Sequence, residues 1–166
     1  MVKLSFCDSL CRLWQQNYRF GYAFRYKKAF LENLPVVRQI ANQTTSFFEI
    51  LVDYIQTAKQ FELKLQTAYF EQLIDGLVFE LYFPDEINAA NKSLIKHLGE
   101  LKPLTEIMTE EEKRALIQSE FDRLYDPTHP VRNHLETLDS VEEVRIIKEA
   151  LAWVKFLMSI AMSPVT

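Results

Sequence analysis

Phe70, Leu73, Ile74, Leu77, Val78 and Leu81 recur at i, i+3, i+4, i+7, i+8 and i+11. Only an α-helix places such residues on one face, so the stretch from Thr67 to Leu98 must hold a helix that buries a long apolar stripe. Glu71, Gln72, Asp75 and Glu80 fall on the opposite side in this reading. Tyr69, Phe79, Tyr82 and Phe83 widen the apolar face, which predicts neighbours on more than one side. Pro84 ends the helix, with Asp85 in a turn-like position.

Glycine occurs three times in 166 residues, at 21, 76 and 99. So few glycines beside many amphipathic runs argue for helices and against a sandwich or barrel. The length suits one domain or one large piece of a domain. The formal charge of −4 is unevenly spread. Residues 1–38 carry Lys3, Arg12, Arg19, Arg25, Lys27, Lys28 and Arg38 against Asp8 and Glu32, a net +5 that leaves −9 for the remainder. A basic head on an acidic body is a directional field, although it also suits an unevenly charged solvated surface. Cys7 and Cys11 are too few for a structural zinc site, and with no disulfide framework or signal peptide the expected compartment is a reducing cytoplasm. The apolar run from Ala150 to Met162 is too short to span a bilayer and contains Lys155.

Along the chain, Phe20, Tyr22, Phe24 and Tyr26 alternate with Gly21, Ala23 and Arg25. Period two predicts a short β-like segment. Its mixture of cations and rings suits a phosphate backbone, while rings at strand spacing also suit a core. Helix-start chemistry at Asn42 to Thr45 and a capping box at Ser46–Glu49 predict a helix to about Gln60, carried by Phe47, Phe48, Leu51, Tyr54, Ile55 and Ala58. This helix and the Phe70 helix should form an antiparallel hairpin. Ile87, Ala90, Leu94, Ile95 and Leu98 predict a third helix capped by Gly99. Boxes at Thr109–Glu112 and Ser140–Glu143 predict two more helix starts, with a two-proline break at Asp126–Pro130 and a short helix over Arg132–Leu138 between them. The last stripe is Ile147, Ala150, Leu151, Val154, Leu157, Met158 and Ala161.

The chain has no GxGxxG, P-loop, HExxH or nucleophile elbow. His97, His129 and His134 are scattered in sequence, so no metal site is expected. The acids at 110–112 and 142–143 are explained by capping and the helix dipole.

Three segments, in order, resemble the C-terminal region of adenine-N6 DNA methyltransferases of type II and type IIG restriction–modification systems. Lys28-Ala-Phe-Leu-Glu-Asn-Leu-Pro35 is similar to the end of their target-recognition domain. Tyr69-Phe-Glu-Gln-Leu-Ile-Asp-Gly-Leu-Val-Phe-Glu-Leu-Tyr-Phe-Pro84 resembles a C-terminal helical region. So does Leu124-Tyr-Asp-Pro-Thr-His-Pro-Val-Arg132, followed by Leu138-Asp-Ser-Val-Glu-Glu-Val-Arg-Ile-Ile147. The resemblance implies a role in DNA modification and bacterial defence. The family's S-adenosylmethionine domain and Asn-Pro-Pro-Tyr-type loop have no counterpart here, so no catalytic residue carries over and no cofactor is expected.

The expected fold is therefore mostly α, an antiparallel helical array with a short N-terminal β-like segment. Residues 1–38 form a basic, aromatic segment and 39–166 a helical domain. The expected function is a non-catalytic DNA-recognition or scaffold piece whose partners are double-stranded DNA and a separate methyltransferase or restriction chain. Arg19, Arg25, Lys27, Lys28 and Arg38 would meet phosphate, with Tyr22 and Tyr26 packing or stacking beside them. The alternative is a helical protein-interaction module with no nucleic-acid role.

Overall fold

Phe47, Leu51, Tyr54, Ile55 and Ala58 are buried on helix α1, Asn42–Gln60, and they meet Phe70, Leu73 and Leu77 on helix α2, Lys64–Tyr82. The computed structural model describes Val37 and residues 41–161, with side chains to Ala152. The expected β-like segment lies outside the described residues. The described residues are mostly α-helical and contain no strand.

Helix α1 starts at Asn42, not at a Ser46 box. Ala41 is extended and its carbonyl accepts from the Thr45 amide at 3.0 Å. Thr44 and Phe47 are both buried, three apart on one face of the helix. Ser46 Oγ instead donates back to the Asn42 carbonyl at 3.2 Å.

The hairpin turn is closed by the Leu63 amide to the Ala58 carbonyl at 2.9 Å and the Glu62 amide to the Lys59 carbonyl at 3.1 Å. This is a Schellman cap, and its left-handed position is held by Glu62 at φ 57°. A side chain there costs about 1 kcal/mol. Glu62→Gly is therefore expected to stabilise the protein by about 0.5 kcal/mol after the added freedom of the unfolded chain is counted. A rise in the urea midpoint checks this, and a fall would mean that the Glu62 side chain holds the turn.

Pro84 does end α2, yet it also opens α3, Pro84–Ala89, so Asp85 lies in a helical first turn rather than a turn-like corner. The expected third helix is two short ones, α3 and α4, Ile95–Leu98. Asn91, at φ 54°, closes α3 in a second Schellman cap, with amides 91 and 92 bonded to carbonyls 88 and 87. Gly99, at φ 69°, ends α4 as expected.

Helix α5, Glu110–Tyr125, opens on the expected Thr109 box, with the Glu112 amide to Thr109 Oγ1 at 3.2 Å and the Thr109 amide to Glu112 Oε2 at 2.8 Å. Ile117, Phe121 and Leu124 face the α1–α2 hairpin in one core. Helix α6, Pro130–Glu136, is followed by a 3-10 turn over Leu138–Ser140 and by α7, Glu142–Ala161. Ser140 thus belongs to the 3-10 turn, and extended Val141 stands just ahead of α7. A second cluster, Ile87, Leu138, Val141 and Val144 against Phe79 and Phe83, anchors the first turn of α7. Farther along, Leu151 of the expected stripe is 53% exposed.

Candidate functional site

The residues expected to meet DNA, Arg19, Tyr22, Arg25, Tyr26, Lys27, Lys28 and Arg38, lie outside the described residues. Within the described residues, chemistry-bearing side chains concentrate where α4, α5 and α6 meet.

The segment from Leu124 to Arg132 builds that corner. Asp126 Oδ1 accepts from the Thr128 amide at 2.7 Å and from its hydroxyl, and these bonds hold its carboxyl below the usual range. Pro130 takes the first helical position of α6 and His129 caps it, its Nδ1 accepting from the Val131 amide at 3.3 Å. Arg132 turns back onto α5. Its Nη1 donates to the Tyr125 carbonyl at 2.7 Å and its guanidinium sits 4.2 Å from the Tyr125 ring centroid. The Tyr69 hydroxyl donates to the neighbouring Leu124 carbonyl at 2.7 Å, and burial pushes that phenol up to about 12. Two carbonyls orphaned at the end of α5 are satisfied in this way, one by a cation that also complements the helix dipole.

Two carboxylates are buried here, Glu80 and Glu120. Glu80 was expected on the polar side of α2. It is 5% exposed and accepts from Ser93 Oγ, from the Leu94 amide at 2.8 Å and from the Ile95 amide at 3.1 Å. It therefore caps α4 from another helix. Glu120 pairs with Arg123 Nη2 at 2.6 Å, while Arg123 Nη1 donates to the Leu98 carbonyl at 3.1 Å. The Tyr54 hydroxyl donates to the Lys102 carbonyl, and burial, then the Glu120 charge, pushes that phenol up.

Gly76 shows why α2 needs a small residue in the middle. A Cβ there would stand 2.5 Å from Leu94 Cδ1 and 2.7 Å from Leu135 Cδ2, so α2 touches its neighbours through backbone.

Two of the three histidines, distant in sequence, converge. His97 and His134 pack edge to face with centroids 5.1 Å apart, and His134 Nδ1 lies 3.1 Å from the Ser93 carbonyl. Ser93, His134 and Glu80 are the residue types of a hydrolytic triad, but their bonds are wrong for one. The histidine meets the serine carbonyl, and the hydroxyl donates to the carboxylate instead, so no imidazole addresses Oγ. Among the described residues no three His, Cys, Asp or Glu side chains are grouped to hold a metal.

Among the described residues, two shallow grooves stand out on the surface. One of about 380 Å³ lies at the α1–α2 turn between Lys59 and Glu71, which pair at 2.8 Å. The other, about 370 Å³, runs over Gly76, Phe79 and Leu135 beneath Asp75, Glu136 and Asp139. Glu136 pairs with Arg132 and Asp139 with Lys148. No helix among the described residues is long and apolar enough to cross a membrane.

Comparison with protein families, with curated proteins and with solved structures finds no match.

The buried acids were within reach of the sequence. Glu80 follows Leu73 by seven and Leu77 by three, and Glu120 follows Ile117 by three, so helical geometry sets both on buried faces. The histidine corner had no sequence signal, because it depends on how three short segments turn.

Proposed function

We propose that the chain is a non-catalytic scaffold that presents a basic segment, residues 1–38, to double-stranded DNA beside a separate methyltransferase or restriction chain of a restriction–modification system. The observation that carries this reading is the charge division, a net +5 over residues 1–38 on a chain of net −4. The ordered resemblance to the C-terminal region of adenine-N6 methyltransferases supports it. Further support comes from the cations in the resembling helical segments, which have partners of their own. Arg132 is committed to Tyr125 and Glu136, and Arg145 pairs with Glu149 at 3.1 Å and Glu142 at 3.9 Å. Arg25, Lys27 and Lys28 are then the leading phosphate contacts, with Arg19 and Arg38 flanking them and Tyr22 and Tyr26 beside them.

The test is binding of the full chain to a duplex oligonucleotide over a salt series. Affinity is expected to fall steeply with salt, and to be strongly weakened at low salt on changing Arg25, Lys27 and Lys28 together to Ala. No binding at low salt by a folded chain would overturn the reading. It would favour a helical protein-docking module, for which the half-exposed Ile146 and Leu151 of α7 speak.

A further inference from the structure

Helix α7 carries an inference that does not rest on DNA binding. Among the described residues it is anchored at one end, where its first turn packs on the 3-10 turn. Val144 is buried in the second cluster, and none of the described side chains of α7 after it is buried. Ile146 is 42% exposed, Leu151 is 53% exposed, and Ile147 and Ala150 are half-buried. Yet from Ala150 to Ala161 only Lys155 and Ser159 are polar. A helix that is apolar on nearly every side requires cover along its length.

We propose that this face takes a second copy of the chain, α7 pairing with α7 across a heptad seam. Ile147, Ala150, Val154, Leu157 and Ala161 follow one another at spacings of 3, 4, 3 and 4, which are the a and d positions of a coiled coil. Ile146, Leu151, Trp153, Met158 and Ile160 then take the flanking e and g positions, and every one of them is apolar. From Arg145 onward the polar residues, Arg145, Lys148, Glu149, Lys155 and Ser159, fall at b, c and f, away from the seam.

The distribution of charge favours a copy over other occupants. Charged residues at e and g set the partner of a coiled coil, and like charges there turn a copy away. From Ile146 on, α7 has no charge at either position, so its seam matches itself. The described cations beside it are matched within the chain, Arg145 by Glu142 and Glu149 and Lys148 by Asp139. The helix therefore offers little free positive charge to an anionic lipid surface, and its apolar run is too short to cross a bilayer. Residues 147–161 extend about 22 Å along the helix axis. A two-helix contact over that length, flanks included, buries on the order of 1,000 Å² counted over both copies, which reaches the size of a specific interface.

Sedimentation velocity of the full chain across a micromolar concentration series tests the pairing. The wild type should approach twice the 19.6 kDa mass of the chain. Changing Ile146 and Leu151 together to Glu places charges at two exposed flanking positions. This should weaken dimerisation about a hundredfold or more and leave the helical circular dichroism unchanged. Leu65→Glu, at a comparably exposed apolar residue of α2, should leave the dimer intact. A wild type that stays monomeric would overturn the proposal, including one that floats with phosphatidylserine vesicles instead. So would a dimer that survives the double substitution, or one lost equally in Leu65→Glu.

Discussion

Glu80→Ala is expected to lower the unfolding free energy by about 3–4 kcal/mol, the cost of leaving buried donors without an acceptor. Ser93 Oγ and the amides of Leu94 and Ile95 all lose their acceptor at once, in a place where Glu80 is only 5% exposed. The damage should spread from α4 into the main core, because Leu94 and Leu98 belong to it. Glu80→Gln keeps an acceptor oxygen and should cost less than half as much. Urea denaturation of both variants checks this, and equal losses would mean that the charge and second oxygen of the carboxylate carry the whole contribution and the single acceptor kept by Gln none.

The second large effect is expected at Arg123. Removing one partner of a buried ion pair typically costs about 3–5 kcal/mol. Arg123 keeps a third of its side chain in solvent, so Arg123→Met should fall near the lower end, about 3 kcal/mol. The stranded group is Glu120, whose side chain is 4% exposed, and the Leu98 carbonyl loses its donor too. Adding Glu120→Leu to Arg123→Met should recover part of the loss, since two apolar groups leave no unpaired charge. Arg145 provides the contrast. Its pairs with Glu142 and Glu149 lie on an exposed helix face, and Arg145→Ala should change stability by less than about 1 kcal/mol.

These effects sit where helical periodicity was legible and the residue type was misleading. Phe70, Leu73 and Leu77 point inward as their spacing requires, and Glu80 continues the same line. Its charge argued for solvent, but a carboxylate that accepts three hydrogen bonds can be buried on an apolar face. The hairpin of α1 and α2, the Thr109 box and the Gly99 cap were all readable from local chemistry. The start of α1 was legible only as a choice, because Asn42 to Thr45 and the Ser46 box both fit a helix start, and the bond of the Thr45 amide onto the Ala41 carbonyl settles it at Asn42. The break between α3 and α4 was hidden for another reason. The apolar spacing from Ile87 to Leu98 suits one helix, while Asn91 in a left-handed conformation and Glu80 acting from α2 divide it into two. Leu124-Tyr-Asp-Pro-Thr-His-Pro-Val-Arg132 stood out in sequence as a family-like segment. In the fold, Tyr125, Asp126, Thr128, His129, Pro130 and Arg132 each serve the junction of α5 and α6, so its distinctiveness there is that of a demanding turn.

The central claim is that DNA affinity resides in the basic segment and not in the helical unit. The slope of log binding constant against log salt tests it most directly, measured for the wild type, for the variant with Arg25, Lys27 and Lys28 changed to Ala, and for Arg145→Ala. Loss of three phosphate contacts should reduce the slope by about 2.7, while Arg145→Ala leaves it unchanged. A slope unaltered by the triple substitution, or one reduced by Arg145→Ala alone, would contradict the account.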